Sequence, residues 1–146
     1  MPKLEPSPNC LFCEIVSRAE PAHVVAETDA ALVFLDQRPV FKGHCLIVPK
    51  AHVETLVDLP RDALDPLMGV ARGIAQAVVV GLGADGTFVA MNNKVSQSVP
   101  HLHVHVIPRR KKDGLKGFFW PRVKYASEDE MAEFAARIAA AFDPAF

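Results

Sequence analysis

The segment His101-Leu102-His103-Val104-His105-Val106-Ile107 constrains this chain more than any other. Polar and apolar residues alternate through it, and in an extended strand successive side chains point to opposite faces. His101, His103 and His105 then share one face, with Cα atoms ~6.6–6.8 Å apart from one to the next. Leu102, Val104 and Val106 share the other face and supply its buried side. In a helix the same residues would scatter, so the pattern predicts a strand. Each imidazole carries two ring nitrogens that need partners, which makes three in a row poor packing material. A polar sheet face rich in histidine is the plain reading. A catalytic zinc held by three histidines, with bound water as nucleophile, is a second. Metal-free nucleophilic attack by a histidine ring is a third.

The remaining residues supply a frame for that strand. A chain of 146 residues has the length of one domain and can bury about two thirds of its unfolded surface. Half of the residues are apolar and 23% are charged, which excludes a disordered chain. A formal charge of −1 sets up no field that would draw nucleic acid or an anionic membrane, and neither is expected as a partner. The longest apolar stretch, residues 77–83, is broken at Gly81 and falls far short of the ~18 residues of a membrane span. Residues 1–9 hold three prolines and read as a frayed or extended arm. They carry no apolar segment that would act as a secretory signal, so a cytoplasmic location is the expectation. Three cysteines cannot complete a disulfide framework, and Cys45 reads as a small core residue.

Residues 23–26 and 30–35, split by polar Glu27-Thr28-Asp29, predict two strands. Residues 44–48 predict a third, stopped by Pro49. Leu64, Leu67, Ala71, Ile74 and Val78 recur at helical spacing up to Gly81 and Gly83, with Pro66 near the start, where its missing N–H costs nothing. Residues 87–92 and 102–107 predict the fourth and fifth strands. Ser127-Glu128-Asp129-Glu130 is a capping box for a final helix with Met131, Phe134, Ile138 and Phe142 on one face. Short connections favour antiparallel pairing. The expected class is α+β: an antiparallel sheet of about five strands, one main helix and a C-terminal helix. A single domain spans residues 1–146, with a core over about 10–110 and a basic, aromatic loop and final helix over 109–146.

The triad does not stand alone. Residues 31–35 run into Asp36, then Pro39, then Gly43-His44-Cys45-Leu46-Ile47-Val48-Pro49-Lys50-Ala51-His52. Met91-Asn92-Asn93 and Gln97-Ser98-Val99 follow just before the triad. In this order the blocks resemble the histidine triad (HIT) superfamily of nucleotide hydrolases and transferases, over roughly residues 10–110. The resemblance implies that His103 attacks the α-phosphorus of a nucleotide and forms a covalent nucleotidyl-imidazole, which water or another acceptor releases. It implies that His105 bonds the phosphate oxygens or assists the leaving group, with Ser98 and His44 at the same phosphate. Asn92 would add an amide donor, Gln97 would join the substrate set from the loop bordering the phosphate, and Asp36 would accept from ribose hydroxyls. An imidazole with an ordinary pKa of ~6.5 is largely neutral near pH 7 and so available for attack. The substrates implied are dinucleoside polyphosphates, nucleoside phosphoramidates or adenylylated small molecules, and the assembly implied is a homodimer with a continuous sheet. Plain readings stand beside these: Asp36 and Asn92 as turn residues, and Gly43 serving the turn. A non-catalytic nucleotide-binding scaffold on the same fold and the three-histidine metallohydrolase are the rival functions.

Cys10-Leu11-Phe12-Cys13 is a thiol pair in a proline-rich context rather than the βαβ setting of a redox motif. It reads either as two buried cysteines or as half of a tetrahedral zinc site. HIT-superfamily members with an N-terminal CxxC are similar to this chain, and in them two histidines complete a zinc site. By position these are His52 and His101. Structural zinc on Cys10, Cys13, His52 and His101 is therefore the expected cofactor, contributing to folding. It removes His101 from a catalytic zinc and leaves only two histidines on that strand. His23 fits neither role. After the triad, Arg109-Arg110-Lys111-Lys112 and Lys116 read as a solvated loop or as attraction for a polyphosphate, which tilts the substrate towards dinucleoside polyphosphates. Phe118-Phe119-Trp120-Pro121-Arg122 reads as packing, with Trp120 the one candidate for a ligand contact.

Overall fold

Five short strands make one antiparallel sheet: β1 (Val24–Glu27), β2 (Ala31–Leu35), β3 (Cys45–Pro49), β4 (Gly86–Ala90) and β5 (Val104–Arg109), in the order β1-β2-β3-β5-β4. The computed structural model describes residues 5–115 and 122–146. They fall into two compact units, residues 1–113 and residues 114–146. The first hairpin turns at Thr28, whose hydroxyl accepts from the backbone N–H groups of Ala30 (3.3 Å) and Ala31 (3.1 Å). β2 and β3 are apolar on both faces because both faces are covered.

One face carries Ala31, Val33, Cys45, Ile47, Val104 and Val106 and packs on the helix Leu64–Leu82 through Leu67, Ala71, Ile74 and Val78. Those four belong to the stripe that the helical spacing predicted; its first member, Leu64, is exposed because it opens the helix. Two 3-10 turns, Leu56–Asp58 and Arg61–Ala63, lead into this helix, and Gly83 ends it with a φ of 65°. The opposite face carries Leu32, Phe34, Leu46 and Val48 and is covered by Phe12 and Ile15 of a short helix, α1 (Leu11–Val16). The long helix is α2. Residues 61–82 are long and apolar enough, by length and composition, to cross a membrane, with a mean hydropathy of 1.3. Composition around Gly81 hid this, and in the fold one stripe of the helix lies on the sheet.

Two boundaries differ from the sequence reading in ways that matter for the site. α1 follows directly on the proline-rich arm and has no counterpart among the elements the sequence predicts. Six residues are too few to display a periodic stripe. β5 starts at Val104 rather than at residue 102. Leu102 N–H donates instead to the carbonyl of Val53 (2.7 Å), so His101 and His103 precede the ladder. The alternation survives all the same: Leu102, Val104 and Val106 lie in the core beneath α2. Before β3 the chain turns at Gly43, where φ is 97° and an added Cβ would stand 2.4 Å from Leu82 Cδ1. Only glycine satisfies both demands.

In the second unit, α3 (Glu128–Ala141) is capped by Ser127, whose Oγ accepts from Glu130 N–H (3.1 Å). The Glu130 carboxylate reaches Ala126 N–H, one residue beyond the partner a regular capping box uses. Met131, Phe134, Ile138 and Phe142 are all exposed within this unit.

Candidate active site and metal centre

His103 sits immediately before β5, and its Nδ1 lies 2.8 Å from the carbonyl oxygen of His101. A carbonyl only accepts, so Nδ1 carries the proton and Nε2 keeps its lone pair. The residue is 3% exposed, yet it lines a cleft of about 220 Å³ together with Phe12, Phe34, Asp36, Ser98 and His105. The backbone thus engages one ring nitrogen and leaves the other with its lone pair.

A second chain of hydrogen bonds assigns the tautomer of His105. Val40 N–H donates to Nδ1 of His44 (3.2 Å), so that nitrogen has no proton. His44 Nε2–H then donates to Nδ1 of His105 (2.9 Å). His105 is left with its proton on Nε2, a fixed donor at the cleft. Neutral rings are what the surroundings favour. Burial, then the neighbouring His103 and His44, push the pKa of His105 down to about 4. Burial also lowers that of His44, against a pull from Asp36, whose Oδ2 lies 3.7 Å from its Nδ1.

These shifts have a consequence for stability. Below pH ~6.5 the unfolded chain takes up protons that the folded rings refuse, so stability is complete above that pH and falls towards pH 4. The slope is up to about 1.4 kcal/mol per pH unit for each depressed group. The expected result is a urea midpoint that is constant above pH 7 and drops between pH 6.5 and 4.5. His105→Gln, which cannot titrate, should show a shallower drop. Parallel curves for the two proteins would refute the assignment.

Beside the cleft, four donor atoms converge. Cys10 Sγ, Cys13 Sγ, His52 Nδ1 and His101 Nδ1 all lie within 4.8 Å of one another. The separations include 3.4 Å from Cys10 Sγ to His101 Nδ1, 3.3 Å from Cys13 Sγ to His52 Nδ1, and 3.2 Å between the two Nδ1 atoms. A tetrahedron with zinc–sulfur bonds of ~2.3 Å and zinc–nitrogen bonds of ~2.0–2.1 Å has edges of ~3.3–3.8 Å. The set therefore suits zinc in both geometry and softness. His101 Nε2–H donates to the Pro49 carbonyl (2.8 Å), which leaves Nδ1 free as a ligand and orients the ring. Burial pushes the Cys13 thiol up and the His101 imidazolium down to about 4.

Ser98 and Asp36 line the cleft. Asp36 also accepts from Arg38 N–H (2.8 Å), so its turn role is present as well. His44 stands behind His105 and does not itself line the cleft. Asn92 is exposed beyond the end of β4 and is not in the cleft lining. Gln97 braces its loop: Nε2 donates to the Glu54 carbonyl (2.6 Å), and Oε1 accepts from Lys94 N–H (2.8 Å). Lys94 and Ser96 hold φ values of 69° and 58°, the left-handed region that favours glycine. Trp120, with Phe118 and Phe119, lies outside the described residues, and His23 is exposed.

Sequence reasoning missed the cleft's apolar wall, Leu11, Phe12, Ile15 and Phe34. The spacing of the two cysteines around Phe12 was the available signal. Two charges of the basic run are engaged within the fold. Arg109 pairs with Asp113, and Arg110 donates to the carbonyls of Leu82 (2.7 Å) and Gly83 (2.6 Å), closing the C-terminus of α2. This run follows the far end of β5 from His103, ~20 Å along an extended chain.

The comparisons agree with this geometry. The HIT domain family model matches residues 17–112. The chain is similar to an uncharacterised HIT-like protein of Methanocaldococcus jannaschii, 41% identical over 109 residues, which are 72% of this chain and 82% of that one. It is similar to an adenosine 5'-monophosphoramidase of Saccharomyces cerevisiae, 38% identical over 109 residues, 73% of this chain and 66% of that one. Among solved structures it is similar to a protein of Streptococcus mutans, with a TM-score of 0.84, 30% identity, and coverage of 94% of this chain and 87% of that one. It is also similar to a Zn-bound histidine triad family protein from Mycobacterium smegmatis, with a TM-score of 0.71, 36% identity, and coverage of 92% and 98%. With its triad segment, its five-stranded sheet and a family match over most of its length, the chain belongs to the HIT family of nucleotide hydrolases and transferases.

Proposed function

We propose that this protein hydrolyses, or transfers a nucleotide from, a nucleoside 5'-phosphate derivative with a small leaving group, through a covalent bond to His103. The observation that carries the reading is the 2.8 Å bond from His103 Nδ1 to the His101 carbonyl, which frees Nε2 at the cleft. The Nε2 lone pair attacks the α-phosphorus, and the bond from phosphorus to the leaving group breaks with its electron pair on that group, which takes a proton from solvent. The phosphorylated ring keeps its Nδ1–H on the carbonyl, which stabilises the imidazolium. His105 Nε2–H and the Ser98 hydroxyl donate to the phosphate oxygens, and Asp36 accepts from the ribose. Water then attacks the same phosphorus, the P–N bond returns its pair to Nε2, and one water proton leaves to solvent. Cys10, Cys13, His52 and His101 would hold zinc, which supplies a structural cross-link and no step in the reaction. His101 then belongs to the thiol cluster, which argues against a three-histidine metallohydrolase.

A short leaving group, an amine or the acid anion of a mixed anhydride, suits this cleft better than a long polyphosphate. Arg109 and Arg110 are engaged by the fold, and the name of the yeast relative specifies a phosphoramidate. Arg110→Ala should leave kcat/KM for adenosine phosphoramidate and for diadenosine tetraphosphate within about twofold of the starting values. It should cost about 1 kcal/mol of stability through the lost helix-end bonds, read from a denaturant midpoint. A selective loss of the tetraphosphate activity would restore the polyphosphate reading.

The decisive experiment is a rapid quench with adenosine phosphoramidate labelled at phosphorus. An acid-labile adduct mapped to His103 is the expected result, and turnover with no adduct on any histidine refutes the mechanism. A homodimer is part of this reading. β4 is an edge strand that pairs with β5 alone among the described residues, and a second copy would extend the sheet there. Light scattering that returns the mass of one chain at micromolar concentration would remove it.

A further inference from the structure

Phe12 occupies an unusual position. It lies between Cys10 and Cys13, it is 5% exposed, and it still lines the cleft. Its ring meets His103 edge-on at a centroid distance of 5.1 Å, His101 at 5.9 Å and Phe34 at 5.5 Å. Leu11 and Ile15, from the same helix, line the cleft beside it. One wall of the cleft is therefore the helix α1 itself.

That helix has six residues. Isolated helices shorter than ~12–15 residues are marginal in water, so α1 holds its shape only through what it is tied to. Two ties are present. Phe12 and Ile15 pack on Leu32, Phe34, Leu46 and Val48. Cys10, the N-cap, and Cys13, one turn later, meet His52 and His101 from two other parts of the chain. Metal-free, the second tie consists only of weak thiol–imidazole contacts. With a divalent ion it becomes four bonds.

We propose that the Cys10–Cys13 clasp, when it holds its metal, sets the apolar wall of the nucleotide cleft through Phe12, so that metal occupancy is read out as nucleotide affinity. The proposal rests on the reading of the cleft as a nucleotide site, and the ligand it concerns is the nucleoside part of a mononucleotide. Phe12 acts as the positioning residue: it transmits the place of the thiols to the base-side wall and to the His103 ring. Thus the metal site does more than add stability, because losing the metal loosens α1 while the five strands stay paired.

The test uses AMP binding by calorimetry on the zinc-loaded protein, on protein stripped by chelator with metal content measured, and on stripped protein given zinc back. Amide exchange is followed in parallel. Expected are at least tenfold weaker AMP binding after stripping, loss of protection confined to residues 10–16, retained protection in β2 and β3, and recovery on adding zinc. Equal affinity with and without metal, in protein verified as metal-free, overturns the proposal. Should stripping unfold the sheet, Phe12→Ala in zinc-loaded protein replaces that arm. Weaker AMP binding at unchanged metal content supports the role of Phe12, and unchanged affinity refutes it. Failure of the loaded wild-type protein to bind AMP at all would instead count against the cleft as a nucleotide site.

Discussion

Replacing His103 with Gln is expected to lower the turnover of adenosine phosphoramidate by ~10⁴-fold or more, the scale seen when a covalent nucleophile is removed. Glutamine keeps much of the volume and can still donate to the His101 carbonyl, which accepts from His103 Nδ1 at 2.8 Å. Packing against Phe12, 5.1 Å from the ring, is only mildly disturbed. What disappears is the free ring nitrogen, and no other imidazole can replace it. His105 has its Nδ1 committed to His44 and its proton on Nε2, so it presents a donor and no lone pair to the cleft. His101 Nδ1 faces the thiols. Single-turnover kinetics with the thermal midpoint measured alongside checks this. A variant retaining more than a tenth of the activity would mean that His103 is not the nucleophile.

The second large effect concerns stability. Cys13→Ala is expected to lower the thermal midpoint by roughly 10–20 °C, and chelator should do the same to the unaltered protein. Structural zinc contributes of the order of 10 kcal/mol in small metal-dependent folds. Here the sheet and α2 have their own core, so only part of that acts on global unfolding. A loss of about 3–5 kcal/mol converts, at a few degrees per kcal/mol for a chain of this size, to the shift given. Cys45 provides the control. It is buried in the core beneath α2, away from the clasp, and Cys45→Ala should cost only about 1–2 kcal/mol and be unaffected by chelator. Scanning calorimetry with and without chelator on the three proteins separates the cases. A midpoint for Cys13→Ala no lower than that of Cys45→Ala would exclude a bound structural metal.

The two effects meet in one residue. His101 uses Nδ1 towards the thiols, Nε2–H towards the Pro49 carbonyl and its own carbonyl towards His103. A chain that alternates faces every residue brings His101 and His103 onto one side only ~6.7 Å apart. Proximity of the Cys/His cluster and the proposed nucleophile is thus built into the spacing.

Much of this was legible in the sequence. A period of two in residues 101–107 was enough to split histidines from aliphatics, because side-chain direction in an extended segment is local geometry. The stripe Leu67, Ala71, Ile74 and Val78 was legible for the same reason at helical period. Less was legible where function depends on distant partners. His44 reads from sequence as a phosphate contact, yet its place behind His105 follows from the pairing of β3 with β5, which sets Leu46 opposite His105. Gln97 and Asn93 brace the loop before the triad by bonding Glu54 and Leu56, some forty residues earlier. Arg110, read within a charge run, caps a helix that ended twenty-eight residues before it.

By itself the sequence determined the class of fold, the buried stripes and the identity of the chemical groups, since these follow from periodicity and residue type along a short stretch. Only the tertiary structure decided which ring nitrogens are occupied, which charges are already engaged, and that a six-residue helix forms a wall of the cleft. Each of those depends on hydrogen-bond partners and packing brought together from remote segments, and no local pattern encodes which remote group will arrive.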